Sequence, residues 1–265
     1  MQHLSTNNPR VAEIRGLSRQ RKLRAASGLS VIEGPKLVAE ALAAGVDVTS
    51  VFVDAESLAD RRIADCAGIA ATSGCEVFTL DAGALDRVAS TTNPQGVVAV
   101  AHLSAASAED LPDTDFALVG VDINDPGNAG TLMRAAVAAG AGVVVFLGDS
   151  VDVTNPKTIR ASAGALFRVP VVVERDRSAG LAALRAAGLA LLGAAGEATV
   201  ACDATDLTGP VAIVLGNEAH GLSNDVRTEL DELLRIEMPG PVESLNVAMA
   251  GAILCHEVAR QRRVR

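Results

Sequence analysis

Two series of apolar runs alternate with helical patterns along the chain. The first series begins at Leu29 and contains the runs LSVIE, VTSVFVD, CEVFTL and GVVAVAH, separated by segments with helical spacing of apolar residues, one of them over Leu58 to Ala67. β-branched runs bounded by such segments are typical of strands that alternate with helices. The pattern predicts a small α/β domain over residues 1–102.

The second series follows a stretch with a different composition. Residues 103–115, LSAASAEDLPDTD, are small, acidic and proline-containing, which is typical of an interdomain linker. The later runs include FALVGVD, GVVVFLG, VPVVV, LALLGA, VAIVLG and LLRIEM. Continuously apolar strands predict a parallel sheet covered on both faces, so residues 116–265 form the expected catalytic domain.

Composition restricts how this chain could bind a partner. Of the 265 residues, 49% are hydrophobic and 21% charged, as expected for a globular protein. Trp and Tyr are absent, so contacts with nucleic acid would use charge and backbone groups rather than ring stacking. The amino terminus lacks a signal-peptide core and the cysteines show no CxxC pairing, so we expect a cytoplasmic protein without a membrane segment or a metal site.

Charge is distributed unevenly along the chain. The net charge is −9, yet residues 1–36 hold seven basic and two acidic residues. Such a split can confine polyanion binding to one face. A helix with a solvated basic side explains the charges equally well.

Three loops directly after apolar strands hold the candidate chemistry. In residues 122–136, Asn128 can cap a helix, and Arg134 lies among small residues where it needs an anion or a carboxylate. Residues 214–223 place Glu218 after a strand-ending glycine, and residues 236–247 pass through Ser244-Leu245-Asn246 into the last helix. No G-x-G-x-x-G follows a strand and no P-loop lysine is present, which excludes the standard dinucleotide and phosphate loops.

The three loops together resemble a known family. The elements N-x(5)-R at Asn128 to Arg134, LGNE-x-x-G-[LI]-S at residues 215–223 and I-x-M-x(5)-S-L-N-V at residues 236–247 resemble the signatures of the SpoU (TrmH-like) branch of SPOUT RNA methyltransferases. Residues 155–171 resemble the segment between them. The amino-terminal stretch resembles the L30e-like substrate-binding domain of several members.

The resemblance implies a fold and an activity. Family members transfer methyl from S-adenosylmethionine to a ribose 2′-hydroxyl of rRNA or tRNA, through a catalytic α/β domain with a deep carboxyl-terminal trefoil knot that forms homodimers. The amino-terminal domain favours rRNA, near the thiostrepton-resistance type that modifies 23S rRNA. A tRNA methyltransferase and a catalytically silent RNA-binding protein remain alternatives.

The resemblance also assigns residues. The expected catalytic residues are Arg134, Asn128, Glu218, Ser244 and Asn246. The expected cofactor-binding residues are Leu215, Gly216, Asn217, Gly221, Ile236, Met238, Pro239, Ser244, Leu245 and Asn246. The expected RNA-binding residues are Arg10, Arg15, Arg19, Arg21, Lys22 and Arg24. Because a guanidinium stays protonated, our hypothesis is that Arg134 grips a phosphate and stabilises the developing alkoxide rather than acting as the base.

Overall fold

A computed structural model describes residues 1–90, 94–242 and 244–263; Glu243, in the third motif, lies outside them. The chain divides into two compact units. The first unit comprises Met1–Ser104 and Asp152–Phe167, and the second unit comprises Ala105–Val151 and Arg168–Arg265. The domain boundaries given by the sequence remain predictions, and packing adds the segment Asp152–Phe167 to the first unit.

The strands occupy short segments. They are β1 (Gln2–Leu4), β2 (Leu29–Glu33), β3 (Val48–Asp54), β4 (Glu76–Leu80), β5 (Val97–His102), β6 (Phe116–Val121), β7 (Val143–Leu147), β8 (Val171–Glu174), β9 (Ala190–Ala194), β10 (Val200–Ala201), β11 (Val211–Leu215) and β12 (Glu232–Arg235). The pattern predicted all of these except β1 and β10, which are too short to show a period.

The α-helices fall between the strands. They are α1 (Pro9–Arg19), α2 (Arg21–Ser27), α3 (Pro35–Ala43), α4 (Arg61–Thr72), α5 (Ala84–Val88), α6 (Pro126–Ala139), α7 (Pro156–Ala161), α8 (Arg177–Ala186), α9 (Asn224–Arg227) and α10 (Val247–Arg263). The prediction of a helix over Leu58 to Ala67 was wrong in its bounds. Asp60 caps α4 by accepting the backbone N–H of Arg62 at 2.8 Å, so the helix starts later.

The sheet of the first unit has the strand order β1-β4-β3-β5-β2. Strand β5 runs antiparallel to β2 and β3, and the other pairs are parallel. On one face, Val11, Ile14 and Leu17 of α1 are buried against a core that contains the stacked rings of Phe52 and Phe78. Helix α1 is therefore part of the core and not an appended basic arm.

The sheet of the second unit has the order β10-β12-β9-β11-β6-β7-β8, and all its pairs are parallel. Strands β6, β7 and β11 are buried along their whole length, which confirms the predicted parallel sheet covered on both faces. The carboxyl ends of parallel strands meet at one edge. The loops after β6, β9, β11 and β12 are therefore neighbours. Across the described residues, no helix has the length and apolar character needed to cross a membrane.

Candidate active site

The loop after β6 is held in a strained conformation. Asp122 has a φ of 55°, in the left-handed region that side chains rarely adopt. Its Oδ1 accepts the backbone N–H of Asp149 at 2.8 Å, and its Oδ2 pairs with Arg177 at 2.8 Å. Its carbonyl accepts the side-chain amide of Asn217 at 2.9 Å. These bonds tie the loops after β6, β7 and β11 to one another.

Helix α6 is capped by a residue that the sequence did not single out. Asp125 accepts the backbone N–H of Asn128 at 2.8 Å, so the expectation that Asn128 caps this helix was wrong. The cap leaves the side chain of Asn128 free to bond with other loops.

One hydrogen-bonded chain joins the three motifs. The Nδ2 of Asn128 donates to Oε1 of Glu218 at 2.7 Å, and the Nδ2 of Asn246 donates to Oδ1 of Asn128 at 3.1 Å. The Oδ1 of Asn246 in turn accepts the backbone N–H groups of Ala248 and Met249 at 2.9 and 3.3 Å. A carboxylate can only accept and a backbone N–H can only donate, so both ends fix the orientation of the two amides. We call these three side chains the relay.

The loop after β11 is a tight turn built around glycine. A Cβ added at Gly216 would overlap the backbone of Gly221. Asn217 and Gly221 exchange two backbone hydrogen bonds of 3.1 and 2.8 Å, and Gly221 has a φ of 64°. The side-chain oxygen of Asn217 accepts the N–H of Ala219 at 2.8 Å. Since its amide also donates to the carbonyl of Asp122, the side chain of Asn217 shapes the loop through both of its polar groups.

A cavity of about 730 Å³ opens beside this loop. Most of the predicted cofactor-binding residues line it, namely Leu215, Gly216, Asn217, Gly221, Ile236, Met238, Ser244 and Leu245. Pro239 and Asn246 do not belong to its wall. Glu218 belongs both to the wall and to the relay, so the relay ends at the cavity.

Sequence reasoning missed one side of the cavity. The loop after β9 contributes Ala194 to Glu197, and Arg227 of α9 completes the wall. Glu197 pairs with Arg227 at 2.5 Å, and the pKa of Glu197 is lowered by its own backbone N–H and by that guanidinium. The signal was present in the sequence as a fourth glycine-containing turn, LLGAAGE, after an apolar strand.

Arg134 lies apart from the cavity wall. Its side chain is exposed on α6 and forms no ion pair within the described part of the chain. No described acidic side chain therefore pairs with Arg134, as a purely structural role would require. Its guanidinium is available to an external anion. Ser244 is exposed and lines the cavity.

Of the six predicted RNA-binding residues, two are engaged in ion pairs within the first unit and four form no ion pair with a described residue. Arg24 is 4% exposed, pairs with Asp152 at 2.6 Å and donates to the carbonyl of Leu17, so its assignment to RNA was wrong. Arg10 is half-buried, and its guanidinium pairs with the carboxylate of Glu76 and lies over the ring of Phe78. The other four are exposed and form no ion pair with a described residue. They are Arg15, Arg19, Arg21 and Lys22.

In residues 1–90, 94–242 and 244–263, no group of three or more His, Cys, Asp or Glu side chains is placed to hold a metal ion.

Comparison with known proteins gives two family matches. Residues 115–256 match the SpoU rRNA Methylase family, and residues 8–99 match the MRM3-like substrate binding domain. An uncharacterized tRNA/rRNA methyltransferase of Mycolicibacterium smegmatis is 35% identical, over 98% of this chain and 87% of the relative. A relative described in the same words from Mycobacterium tuberculosis is 32% identical, over 98% and 83%.

Solved structures resemble the whole chain. The AdoMet-bound rRNA methyltransferase from Sinorhizobium meliloti superposes with a TM-score of 0.85 at 27% identity, covering 98% of this chain and 97% of that one. AviRb from Streptomyces viridochromogenes, in complex with AdoMet, gives a TM-score of 0.85 at 29% identity, covering 97% and 100%. These neighbours are SPOUT methyltransferases with the trefoil-knot fold, so the predicted fold class is confirmed. The three motifs meet at one sheet edge, the family match covers most of the second unit, and the relatives match along the whole chain. We conclude that the chain belongs to the SpoU rRNA methylase family.

Proposed function

We propose that this protein transfers a methyl group from S-adenosylmethionine to a ribose 2′-hydroxyl of RNA, with 23S rRNA as the substrate and the cytoplasm as its location. The observation that carries the proposal is the relay. The relay joins three side chains from separate loops, and one of them, Glu218, also lines the cavity. A protein that only binds RNA needs no such connection.

The cavity fits the cofactor in size and charge. About 730 Å³ lies within the range of roughly 300–1,000 Å³ for sites of this kind. Among the described residues, its wall holds the carboxylates of Glu197 and Glu218 and the guanidinium of Arg227. This acidic surplus suits S-adenosylmethionine, whose sulfonium and ammonium groups outweigh its carboxylate and leave it with a net positive charge. Gly216 has no side chain, which lets the loop close tightly on itself at the edge of the cavity.

The residues of this chain position the reaction. The cofactor supplies an electrophilic methyl on a positively charged sulfur, and the attacking oxygen must lie about 3 Å from it and in line. Asn246 orients Asn128, and Asn128 donates to the carboxylate of Glu218, which ties down the loop that borders the cavity. Arg134 can grip a phosphate of the RNA with two parallel N–H donors and stabilise the developing alkoxide.

The comparisons favour rRNA over tRNA as the substrate. One neighbour, whose structure concerns 2-OH methylation of C/U34 on tRNA, aligns over 97% of its own length but only 57% of this chain, with a TM-score of 0.53 and 27% identity. The rRNA methyltransferase from Sinorhizobium meliloti and the SpoU methyltransferase AviRb align over 98% and 97% of this chain, so both cover the first unit as well. The additional unit therefore supports a larger, folded RNA target.

We also propose a homodimer formed through the catalytic domain. Helix α10 exposes a stripe at helical spacing, with Met249 57% exposed and Ile253 40% exposed, flanked by Ala252 and His256. Exposed large apolar side chains on one helix face are typical of an interface.

Substitution of Arg134 tests the proposal. Arg134→Gln and Arg134→Lys should each lower kcat for methyl transfer by about 100-fold, because the bidentate contact is lost in both. Affinity for S-adenosylmethionine, measured by calorimetry, should not change because Arg134 lies outside the cavity wall. Arg263→Gln is the matched control, since this exposed arginine ends α10, about 25 Å from the relay at 1.5 Å per residue. Full turnover of Arg134→Lys at saturating RNA would contradict the clamp.

A further inference from the structure

The first unit contains a second cavity, of about 190 Å³, between α1 and α5. Its wall combines small polar side chains with two arginines, and none of the described residues in it is acidic. The wall consists of Thr6, Asn7, Asn8, Val11, Ala12, Arg15, Arg87 and Val88. A concave site lined by two guanidinium groups is a place where an anion would be held.

Both arginines are uncommitted. Arg15 on α1 and Arg87 on α5 are exposed, and neither forms an ion pair with a residue that the structure describes. Arg10, on the same helix as Arg15, is instead engaged by the carboxylate of Glu76 at 2.8 Å and by the ring of Phe78. Two cations that share a cavity repel each other until an anion lies between them.

One carboxylate near the cavity, that of Asp81, is already occupied. Asp81 accepts the backbone N–H of Thr6 at 3.0 Å and its hydroxyl at 3.2 Å, and its other oxygen accepts from His3 at 2.9 Å. It fixes the chain that enters α1 and does not reach the arginines. The anion has to come from outside this group of residues.

Both helices that line the cavity are anchored in the core. Helix α1 is anchored by buried Val11 and Ile14, and α5 by buried Leu85 and Val88. Asn8 caps α1 by accepting the backbone N–H of Arg10 at 3.0 Å. Side chains that project from two anchored helices lose little backbone freedom on binding.

We propose that Arg15 and Arg87 together bind one phosphate group of the RNA backbone, which makes the α1–α5 cavity a docking subsite for the substrate. This subsite rests on the proposed function, and it assigns part of the RNA contact to the first unit. Arg19, one helical turn beyond Arg15, continues the basic surface along α1. Arg87 lies outside the basic amino-terminal segment, so sequence charge alone did not single it out.

Point substitutions test this subsite, because removal of α1 would remove part of the core. Arg15→Gln and Arg87→Gln in the full chain should each weaken binding of a fluorescein-labelled stem-loop RNA by about five- to tenfold at low salt. The slope of log affinity against log salt concentration should become shallower by about one in each variant. The double substitution should cost less than the product of the two single effects, because both side chains hold one phosphate.

The control is Arg61→Gln on α4, whose 93% exposed side chain meets only Asp65, at 3.7 Å, among its described neighbours. Its RNA affinity and salt slope should equal those of the wild type. Wild-type affinity and slope in Arg87→Gln, equal losses in all three variants, or no RNA binding by the wild-type protein would each overturn the subsite. Methyl transfer is measured in parallel. Its absence, with the losses at Arg15 and Arg87 preserved, would reject the proposed function and retain the subsite.

Discussion

Gly216 lies where β11 enters its loop, and backbone atoms fill the space around it. A methyl group at this position would overlap the carbonyl of Gly221, which cannot move without breaking the bonds between Asn217 and Gly221. Gly216→Ala should therefore destabilise the protein by about 1–3 kcal/mol and weaken S-adenosylmethionine binding at least tenfold. Calorimetric titration and chemical denaturation measure the two effects.

Gly209→Ala is the matched control for this glycine. A Cβ at Gly209 meets nothing within 4 Å and its φ is not in the left-handed region. Stability and cofactor affinity should stay at the wild-type level. Equal stability and equal cofactor affinity of the two variants would show that the close approach of the Gly221 backbone to Gly216 has no role.

Asp152 and Arg24 form an ion pair inside the first unit. Burial raises the pKa of Asp152, but hydrogen bonds from Thr154 and Arg24 outweigh it and lower that pKa below its ordinary value. A lowered folded-state pKa means that the pair stabilises the fold above the unfolded pKa, near 4, and that this stability is lost as the pH falls through the folded-state value.

Asp152→Asn should therefore destabilise the protein by about 3–5 kcal/mol at pH 7, since it leaves a buried guanidinium unpaired. The difference in free energy of unfolding between this variant and the wild type should stay constant between about pH 7 and 5 and become smaller below about pH 4. Urea denaturation across this range measures it. Asp65→Asn on the exposed surface should have little effect, and a pH-independent difference for Asp152→Asn would exclude the ion pair as its cause.

Helix α10 packs closely on α6 because one residue of α10 has no side chain. A Cβ at Gly251 would overlap Leu132 of α6 and approach Leu215 of β11 to 2.9 Å. The small residues of this helix therefore pack within the chain, while Met249 and Ile253 lie on its exposed side. Helix α10 can therefore pack within the chain on one face and form the proposed homodimer through the other.

A pair of glycine substitutions tests this packing. Gly251→Ala should destabilise the protein by about 1–3 kcal/mol because it separates the two helices. Gly68→Ala in α4 meets no atom within 4 Å and should stabilise it by about 0.5–1 kcal/mol through helix propensity. Chemical denaturation of both variants gives the comparison. Stabilisation by Gly251→Ala would refute the close contact between α10 and α6.

At the scale of the whole molecule, the exposed stripe on α10 predicts self-association. The wild-type protein should sediment as a dimer, and Ile253→Glu should shift it to the monomer because a charge would be buried in the interface. Arg263→Glu, at the end of the same helix, should leave the dimer intact. A wild-type monomer at all concentrations tested by analytical ultracentrifugation would reject the proposed homodimer.

The sequence was most informative where local pattern and burial coincide. Apolar runs located the longer strands, and their order predicted a parallel sheet with loops at one edge. The parallel pairing of β1 with β4 depends on distant residues, and β1 has a single buried side chain, Leu4, so no local period marks it. The relay and the burial of Arg24 likewise depend on partners that are 90 or more residues away in the chain.

We propose that this protein methylates a ribose in rRNA. The most direct measurement is tritium transfer from labelled S-adenosylmethionine into 23S rRNA that lacks native modifications, with bulk tRNA in parallel and nuclease mapping of the product. We expect label in the 2′-O-methyl group of one 23S rRNA nucleotide, and about 100-fold less label with Arg134→Gln. Label on a base, or no label in either RNA from a protein that binds the cofactor, would contradict it.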